Sequence, residues 1–174
     1  MKDGYIKVAA VTPQVTVADV KENTREILKV IREAAAQKAK IIVLPELCIT
    51  GYTCNDLFLQ ELLLEKAKEA LLTIAEETGQ LETLFLVGLP VDKDGRLYNV
   101  AAVLYRGRIL GMIPKKNIPM YAEFYEGRHF TPGEETVTEY RLGKQVIPFG
   151  SNLLFRCEEL PELILGCELC EDLW

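Results

Sequence analysis

Short apolar runs alternate with segments of helical periodicity in the first half of the chain, and this alternation restricts the fold more than any other feature. The runs 5–12 and 41–44 are rich in β-branched and small apolar residues and predict two buried strands. Apolar residues at helical spacing predict helices over 17–37 and 57–77, the first capped by Thr16 or Asp19 and the second ending near Gly79. The order strand, helix, strand, helix is typical of an α/β domain.

The second half of the chain predicts mostly strands and loops. Runs 84–89, 98–105 and 108–113 have strand composition, with a turn at 92–95 and a tight hairpin link at Arg106-Gly107. Segment 114–150 is rich in Pro, Gly and aromatic residues, which predicts a long ordered loop region. Short strands are expected at 153–156 and 163–169.

Composition narrows the class of protein. The chain has 174 residues, of which 49% are hydrophobic, enough for one domain or a part of one. Its net charge of -6 disfavours a nucleic-acid surface. No apolar stretch approaches the roughly 18 residues of a membrane span and no signal core is present, so we expect a cytoplasmic protein with no membrane partner. Five cysteines at irregular spacing predict reduced thiols.

Three ionisable residues follow predicted strands. Glu46 comes after 41–45, Lys115 after 110–114 and Cys170 after 163–169. Cleavage of an amide requires a nucleophile, a base that deprotonates it and a positive or hydrogen-bond-donating group for the developing oxyanion. A thiol with a pKa of about 8.5 needs a partner at neutral pH, and Glu46 is a candidate base with Lys115 as the positive group.

The residues alone leave ordinary explanations open. Taken alone, Glu46 is more often a strand-end or cap carboxylate and Lys115 a solvated loop charge, and Cys170 has an alternative as an inert buried thiol. Cys167 and Cys170 form a Cys-x-x-Cys pair, but the chain has no second pair and a single histidine, His129. A structural zinc site is therefore disfavoured.

Ordered motifs change this balance. The chain contains three motifs in order: Pro45-Glu46-Leu47 with Thr50-Gly51-Tyr52, then Pro114-Lys115 with Ile118-Pro119, and last Cys170-Glu171-Asp172 with Trp174. Together they resemble the Glu-Lys-Cys signature of the nitrilase, or carbon-nitrogen hydrolase, superfamily. Segments 50–58 and 95–128 are most similar to the glutaminase domains of glutamine-dependent NAD synthetases. The resemblance implies an α-β-β-α sandwich, of which residues 1–174 would be the N-terminal part.

The resemblance also implies roles for particular residues. Glu46 would be the general base, Lys115 would stabilise the tetrahedral intermediate, and Cys170 would form a glutamyl thioester. Glu126 would be a second carboxylate that holds the lysine in place. Tyr52 and Tyr121 would line the glutamine pocket, and the backbone N–H of Glu171 would donate to the oxyanion. No metal or cofactor is expected for this step.

Partners follow from the same resemblance. Glutamine is the expected substrate, and a downstream synthetase domain would use ATP and magnesium to amidate deamido-NAD. No Ser-Gly-Gly or Walker-type phosphate loop occurs in these residues, so that step is not expected here. We expect homo-oligomers because exposed sheet edges and apolar faces favour association. The alternatives are a stand-alone amidase acting on another small amide and a catalytically silent structural module.

Overall fold

A seven-stranded sheet in the order β1-β2-β3-β4-β5-β7-β6 forms the centre of the computed structural model, which describes residues 4–173. Strands β1 to β3 are parallel, β3 to β5 are antiparallel, and β7 pairs with β5 in parallel. The strands of this sheet are β1 (Val8–Ala10), β2 (Ile41–Val43), β3 (Leu84–Lys93), β4 (Arg96–Tyr105), β5 (Arg108–Pro114), β6 (Thr138–Leu142) and β7 (Gln145–Phe149). The α/β class is as predicted.

Helices α1 (Val20–Ala36) and α2 (Glu61–Glu77) pack on one face of the sheet. Asp19 caps α1, since its carboxylate accepts a hydrogen bond from the backbone N–H of Glu22 at 3.0 Å. The prediction that α2 begins at 57 is wrong: residues Asn55–Leu59 form a 3₁₀ helix, and the extended backbone of Gln60 separates it from α2. Neither α-helix within residues 4–173 is long and apolar enough to cross a bilayer.

The predicted loop region 114–150 contains a hairpin in its last third. Strands β6 and β7 pair in antiparallel register around Gly143, whose φ is +57°. Buried side chains alternate with exposed ones along both strands, and those facing the core are Tyr140, Leu142, Ile147 and Phe149. The alternation is short and includes Pro148 at an exposed position, so Pro and Gly dominated the sequence pattern although the strands form.

The outer face of the sheet is covered only in part, and this corrects the prediction that the first two strands are buried. Val8 in β1 is 63% exposed and Val43 in β2 is 46% exposed, whereas Ile42 faces the helices at 0%. Over β4 and β5, Leu153, Phe155 and Leu169 cover a small cluster formed by Ala101, Val103 and Ile113. The fold is thus one helix layer and one sheet of a sandwich.

The segment before Cys170 has little strand pairing. A two-stranded sheet joins β8 (Phe155–Arg156) to β9 (Ile164–Leu165), so the predicted strand 163–169 has only two paired residues. Cys170 begins a 3₁₀ helix, Cys170–Leu173. The nucleophile candidate therefore follows four residues without sheet pairing and does not sit directly at a strand end.

Candidate active site

Glu46 lies in a tight turn after β2, pressed against the backbone of β3. A Cβ atom at Gly88 would lie 2.4 Å from the nitrogen of Leu47 and 2.6 Å from the carbonyl oxygen of Pro45. Leu47 has a φ of +52°, which closes the turn. Only glycine at position 88 lets the turn backbone lie this close to β3. The contact with β3 therefore fixes the position of the Glu46 backbone.

Lys115 follows β5 and is fully buried. Its backbone N–H donates to the carbonyl oxygen of Asn99 at 2.8 Å, which continues the pairing of β4 with β5, and its own carbonyl oxygen accepts from Gly133 at 2.7 Å. A Cβ atom at Gly133 would lie 2.6 Å from the carbonyl oxygen of Pro114. The lysine backbone is therefore held from two sides.

The side chains of Glu46, Lys115 and Glu126 meet in one ion cluster. Nζ of Lys115 lies 2.8 Å from Oε1 of Glu46 and 2.7 Å from Oε1 of Glu126. Burial acts to lower the pKa of Lys115, but the hydrogen bonds and charges of Glu126 and Glu46 outweigh burial, so the pKa is raised above its ordinary value. The ammonium therefore stays charged at neutral pH.

Asn99, which the sequence analysis did not single out, joins the two carboxylates. Its Nδ2 donates to Oε1 of Glu46 at 2.7 Å and lies 3.5 Å from Oε2 of Glu126. The side chain is fully buried, and Oδ1 has no hydrogen-bond partner among residues 4–173. The available sequence signal was one amide directly before the apolar run 100–104 of β4.

Tyr52 donates from its hydroxyl to Oε1 of Glu126 at 2.7 Å. Burial raises the pKa of Tyr52, the hydrogen bond to Glu126 raises it further, and the charges of Glu126 and Glu46 act in the same direction. Tyr52 therefore remains a neutral donor. Its residue exposure of 39% places it at the mouth of the cluster, within electrostatic reach of Cys170.

Cys170 is the exposed thiol among the five cysteines; Cys48 and Cys54 are buried, and Cys157 and Cys167 are half-buried. Burial raises the pKa of Cys48 to about 12, and burial followed by the charges of Asp172 and Glu168 raises that of Cys167 to about 11. Cys170 has a φ of +49°, a conformation that L-residues seldom adopt. No hydrogen bond connects it to Glu46 or Lys115.

Tyr121 and Glu171 meet beside Cys170, where the Tyr121 hydroxyl donates to the Glu171 carboxylate. Tyr121 is 57% exposed. The pocket-lining and oxyanion roles of these residues stay predictions.

No cluster of three or more His, Cys, Asp or Glu side chains within residues 4–173 could hold a metal ion. His129 instead lies with Arg128 against Asp56: its Nε2 is 3.0 Å from Oδ1 of Asp56, and Arg128 Nε donates to the same oxygen at 2.8 Å. These contacts tie the 3₁₀ helix Asn55–Leu59 to the one that begins with Glu126.

The order and geometry of these residues agree with a family assignment. The profile of the carbon-nitrogen hydrolase family matches residues 7–174, nearly the whole chain. The chain belongs to this family.

Similar proteins define the group within the family. The chain is 37% identical to a glutamine-dependent NAD(+) synthetase of Mycobacterium bovis over 171 residues. The aligned region covers 98% of this chain and 25% of the synthetase. The crystal structure of such a synthetase from Cytophaga hutchinsonii is 32% identical, with a TM-score of 0.88 over 96% of this chain and 28% of that chain. The chain thus spans about a quarter of the length of these relatives.

Other members share the fold at greater distance. An amidase from Nesterenkonia sp. matches 85% of this chain and 56% of its own with a TM-score of 0.64, at 20% identity. The chain therefore has the nitrilase-like fold in part, and the similarity to the synthetases is what distinguishes it from amidases of the same fold.

Proposed function

We propose that these residues form the glutamine-hydrolysing part of a glutamine-dependent NAD synthetase. The observation that carries the proposal is the buried cluster of Glu46, Lys115 and Glu126, which holds a charged ammonium between two carboxylates at the edge of the sheet. Similarity to synthetases along 98% of the chain supports glutamine as the amide. The cluster supplies a base and a cation, and Cys170 supplies the nucleophile.

The first half-reaction makes a thioester. Glu46 uses only Oε1 in its hydrogen bonds to Asn99 and Lys115, so Oε2 is the oxygen that takes the thiol proton of Cys170. The thiolate then attacks the amide carbonyl carbon, and the resulting oxyanion is held by the third N–H of the Lys115 ammonium and by the backbone N–H of Glu171. Collapse of this intermediate breaks the C–N bond, and Glu46 returns the proton to the departing ammonia.

The second half-reaction hydrolyses the thioester. Glu46, again ionised, removes a proton from water, which attacks the thioester carbonyl through a second oxyanion at the same position. Cleavage of the C–S bond releases glutamate, and the thiolate is reprotonated. Glu126 and Tyr52 act on neither bond; they hold Lys115 in place through charge and hydrogen bonds.

The remaining parts of the proposal concern the whole protein. The ammonia would be used by an ATP- and magnesium-dependent synthetase domain downstream that amidates deamido-NAD, and Tyr121 would line the glutamine pocket. The metal-free and cofactor-free character of the glutaminase step, the cytoplasmic location and homo-oligomer formation also stay predictions.

The proposal is tested by glutamate release from glutamine by the full-length protein, beside a panel of short aliphatic amides. We expect hydrolysis of glutamine and its loss in Cys170→Ala, while Cys157→Ala, a change at a half-buried thiol, retains it. An electrophilic glutamine analogue should modify Cys170, as detected by mass spectrometry.

Two results would count against the proposal. Hydrolysis of other amides with none of glutamine would indicate a stand-alone amidase. Modification confined to Cys157 or Cys167, with full activity in Cys170→Ala, would remove Cys170 from the mechanism.

A further inference from the structure

The carboxylate of Asp172 gathers backbone N–H groups from two distant segments. Its oxygens accept from Lys116 at 3.0 and 3.2 Å and from Asn117 at 2.7 Å. A further bond, at 3.2 Å, comes from the backbone N–H of Leu169. Hydrogen bonds to an ionised acceptor are roughly twice as strong as neutral ones, so this is the principal polar tie between the segments.

The segments that Asp172 joins carry the two reacting groups of the proposed mechanism. Lys116 and Asn117 directly follow Lys115, and Leu169 directly precedes Cys170. A second tie runs in parallel, because Nδ2 of Asn117 donates to the carbonyl oxygen of Glu171 at 3.0 Å. These bonds hold the backbone beside Cys170 at a fixed position relative to the backbone beside Lys115.

Two further contacts act beside Cys170 and not on it: Leu169 packs over β4 and β5, and the Tyr121 hydroxyl donates to the Glu171 carboxylate. The segment between β9 and Cys170 has no sheet pairing, Cys170 is exposed, and its side chain has no hydrogen bond to Lys115. Its positive φ is unfavourable for an L-residue and needs surrounding contacts to maintain it. We infer that Asp172 is a positioning residue that sets the distance between the Cys170 thiol and the Lys115 ammonium.

This inference deepens the proposed function and rests on it for the roles of Cys170 and Lys115. It predicts that two reactions of the same thiol respond differently to loss of Asp172. Alkylation by iodoacetamide forms an S–C bond and expels iodide, without an oxyanion. Acylation by p-nitrophenyl acetate forms a thioester through an oxyanion and expels p-nitrophenolate, so it requires the ammonium in register.

The experiment compares both reactions at Cys170 in the full-length protein and in Asp172→Asn, which keeps the side-chain shape and replaces one acceptor oxygen by a donor. A misplacement of about 1 Å costs on the order of 100-fold in rate, so we expect the p-nitrophenolate burst to slow about 100-fold while alkylation changes less than about threefold. Glu168→Gln, at an exposed carboxylate in the same segment, is the matched control and should leave both rates unchanged.

Asn117→Ala removes the second tie without a change of charge and should give the same split with a smaller loss of acylation, which covers the case in which Asp172→Asn fails to fold. Equal loss of both reactions, or retention of acylation in both variants, would overturn the positioning role. Absence of a burst at Cys170 in the unmodified protein would overturn the proposed function as well, so the two failures are distinguishable.

Discussion

Replacement of Lys115 by methionine tests the electrostatics of the buried cluster directly. Methionine has nearly the length of lysine but no charge, so Lys115→Met leaves Glu46 and Glu126 facing each other without the ammonium. Because Nζ lies 2.8 Å from one Oε1 and 2.7 Å from the other, these two oxygens are at most about 5.5 Å apart. The side chain of Glu126 is only 4% exposed, so water does little to screen the pair.

The magnitude can be worked in two ways that agree. Two unit charges at about 5.5 Å repel by about 3 kcal/mol at an effective dielectric constant of about 20. Alternatively, the variant avoids this repulsion if one carboxyl takes up a proton. For an ordinary carboxyl pKa of about 4.3, that protonation costs about 3.7 kcal/mol at pH 7. We therefore expect Lys115→Met to reduce the free energy of unfolding by about 3 kcal/mol at pH 7, within the range for breaking a buried ion pair.

The free energy of unfolding depends on pH differently in the unmodified protein and in Lys115→Met. In the unmodified protein the raised pKa of Lys115 contributes stability that is fully present below the ordinary lysine value of about 10.4 and is lost as the pH rises through the folded value. This contribution is constant between pH 5 and 7. In Lys115→Met the cost of protonating one carboxyl falls to about 1 kcal/mol at pH 5, so the destabilisation should shrink there.

Urea unfolding followed by circular dichroism at pH 5 and pH 7 measures both quantities. Lys115→Met combined with Glu126→Gln removes one of the facing charges and should recover most of the loss at pH 7. Lys116→Met is the matched control, because Lys116 is exposed and paired with Glu135 at the surface, where solvent screens such a pair and its contribution to stability is small. The reasoning would be refuted by equal destabilisation at both pH values or by no recovery in the double variant.

Two further predictions concern the supports of the site. Gly88→Ala should destabilise by about 3 kcal/mol and displace Glu46, since the added Cβ overlaps the turn backbone; an unchanged urea midpoint would contradict this. Asp56→Asn should lower the melting temperature at neutral pH, because hydrogen bonds from Arg128 and then His129 depress the pKa of Asp56. That stability is present above an unfolded pKa of about 3.9 and is lost as the pH falls through the depressed value. The difference in melting temperature between the unmodified protein and Asp56→Asn should therefore shrink in acid. A difference that stays constant with pH would contradict this prediction.

The strand–helix alternation was predictable because periodicity is a local signal. Residues 20–36 and 61–77 form helices within the predicted ranges, and the strands around 84–114 are close to their predicted bounds. The hairpin at 138–149 was missed because the buried positions of each strand are few and lie beside Gly143 and Pro148. Its inward residues become recognisable only once β7 pairs with β5, a contact between distant segments.

The candidate site shows the same limit in chemical form. Glu46, Lys115 and Cys170 could be proposed from sequence because each is an ionisable residue after an apolar run and because the motifs around them resemble the Glu-Lys-Cys signature. Asn99 and Asp172 could not, since their partners lie 53 to 56 residues away along the chain. An amide that donates to a carboxylate, or a carboxylate that binds backbone N–H groups, acquires its role only from contacts between distant segments. Candidate reacting groups can therefore be proposed from sequence, whereas the groups that would position them are recognised only in the fold.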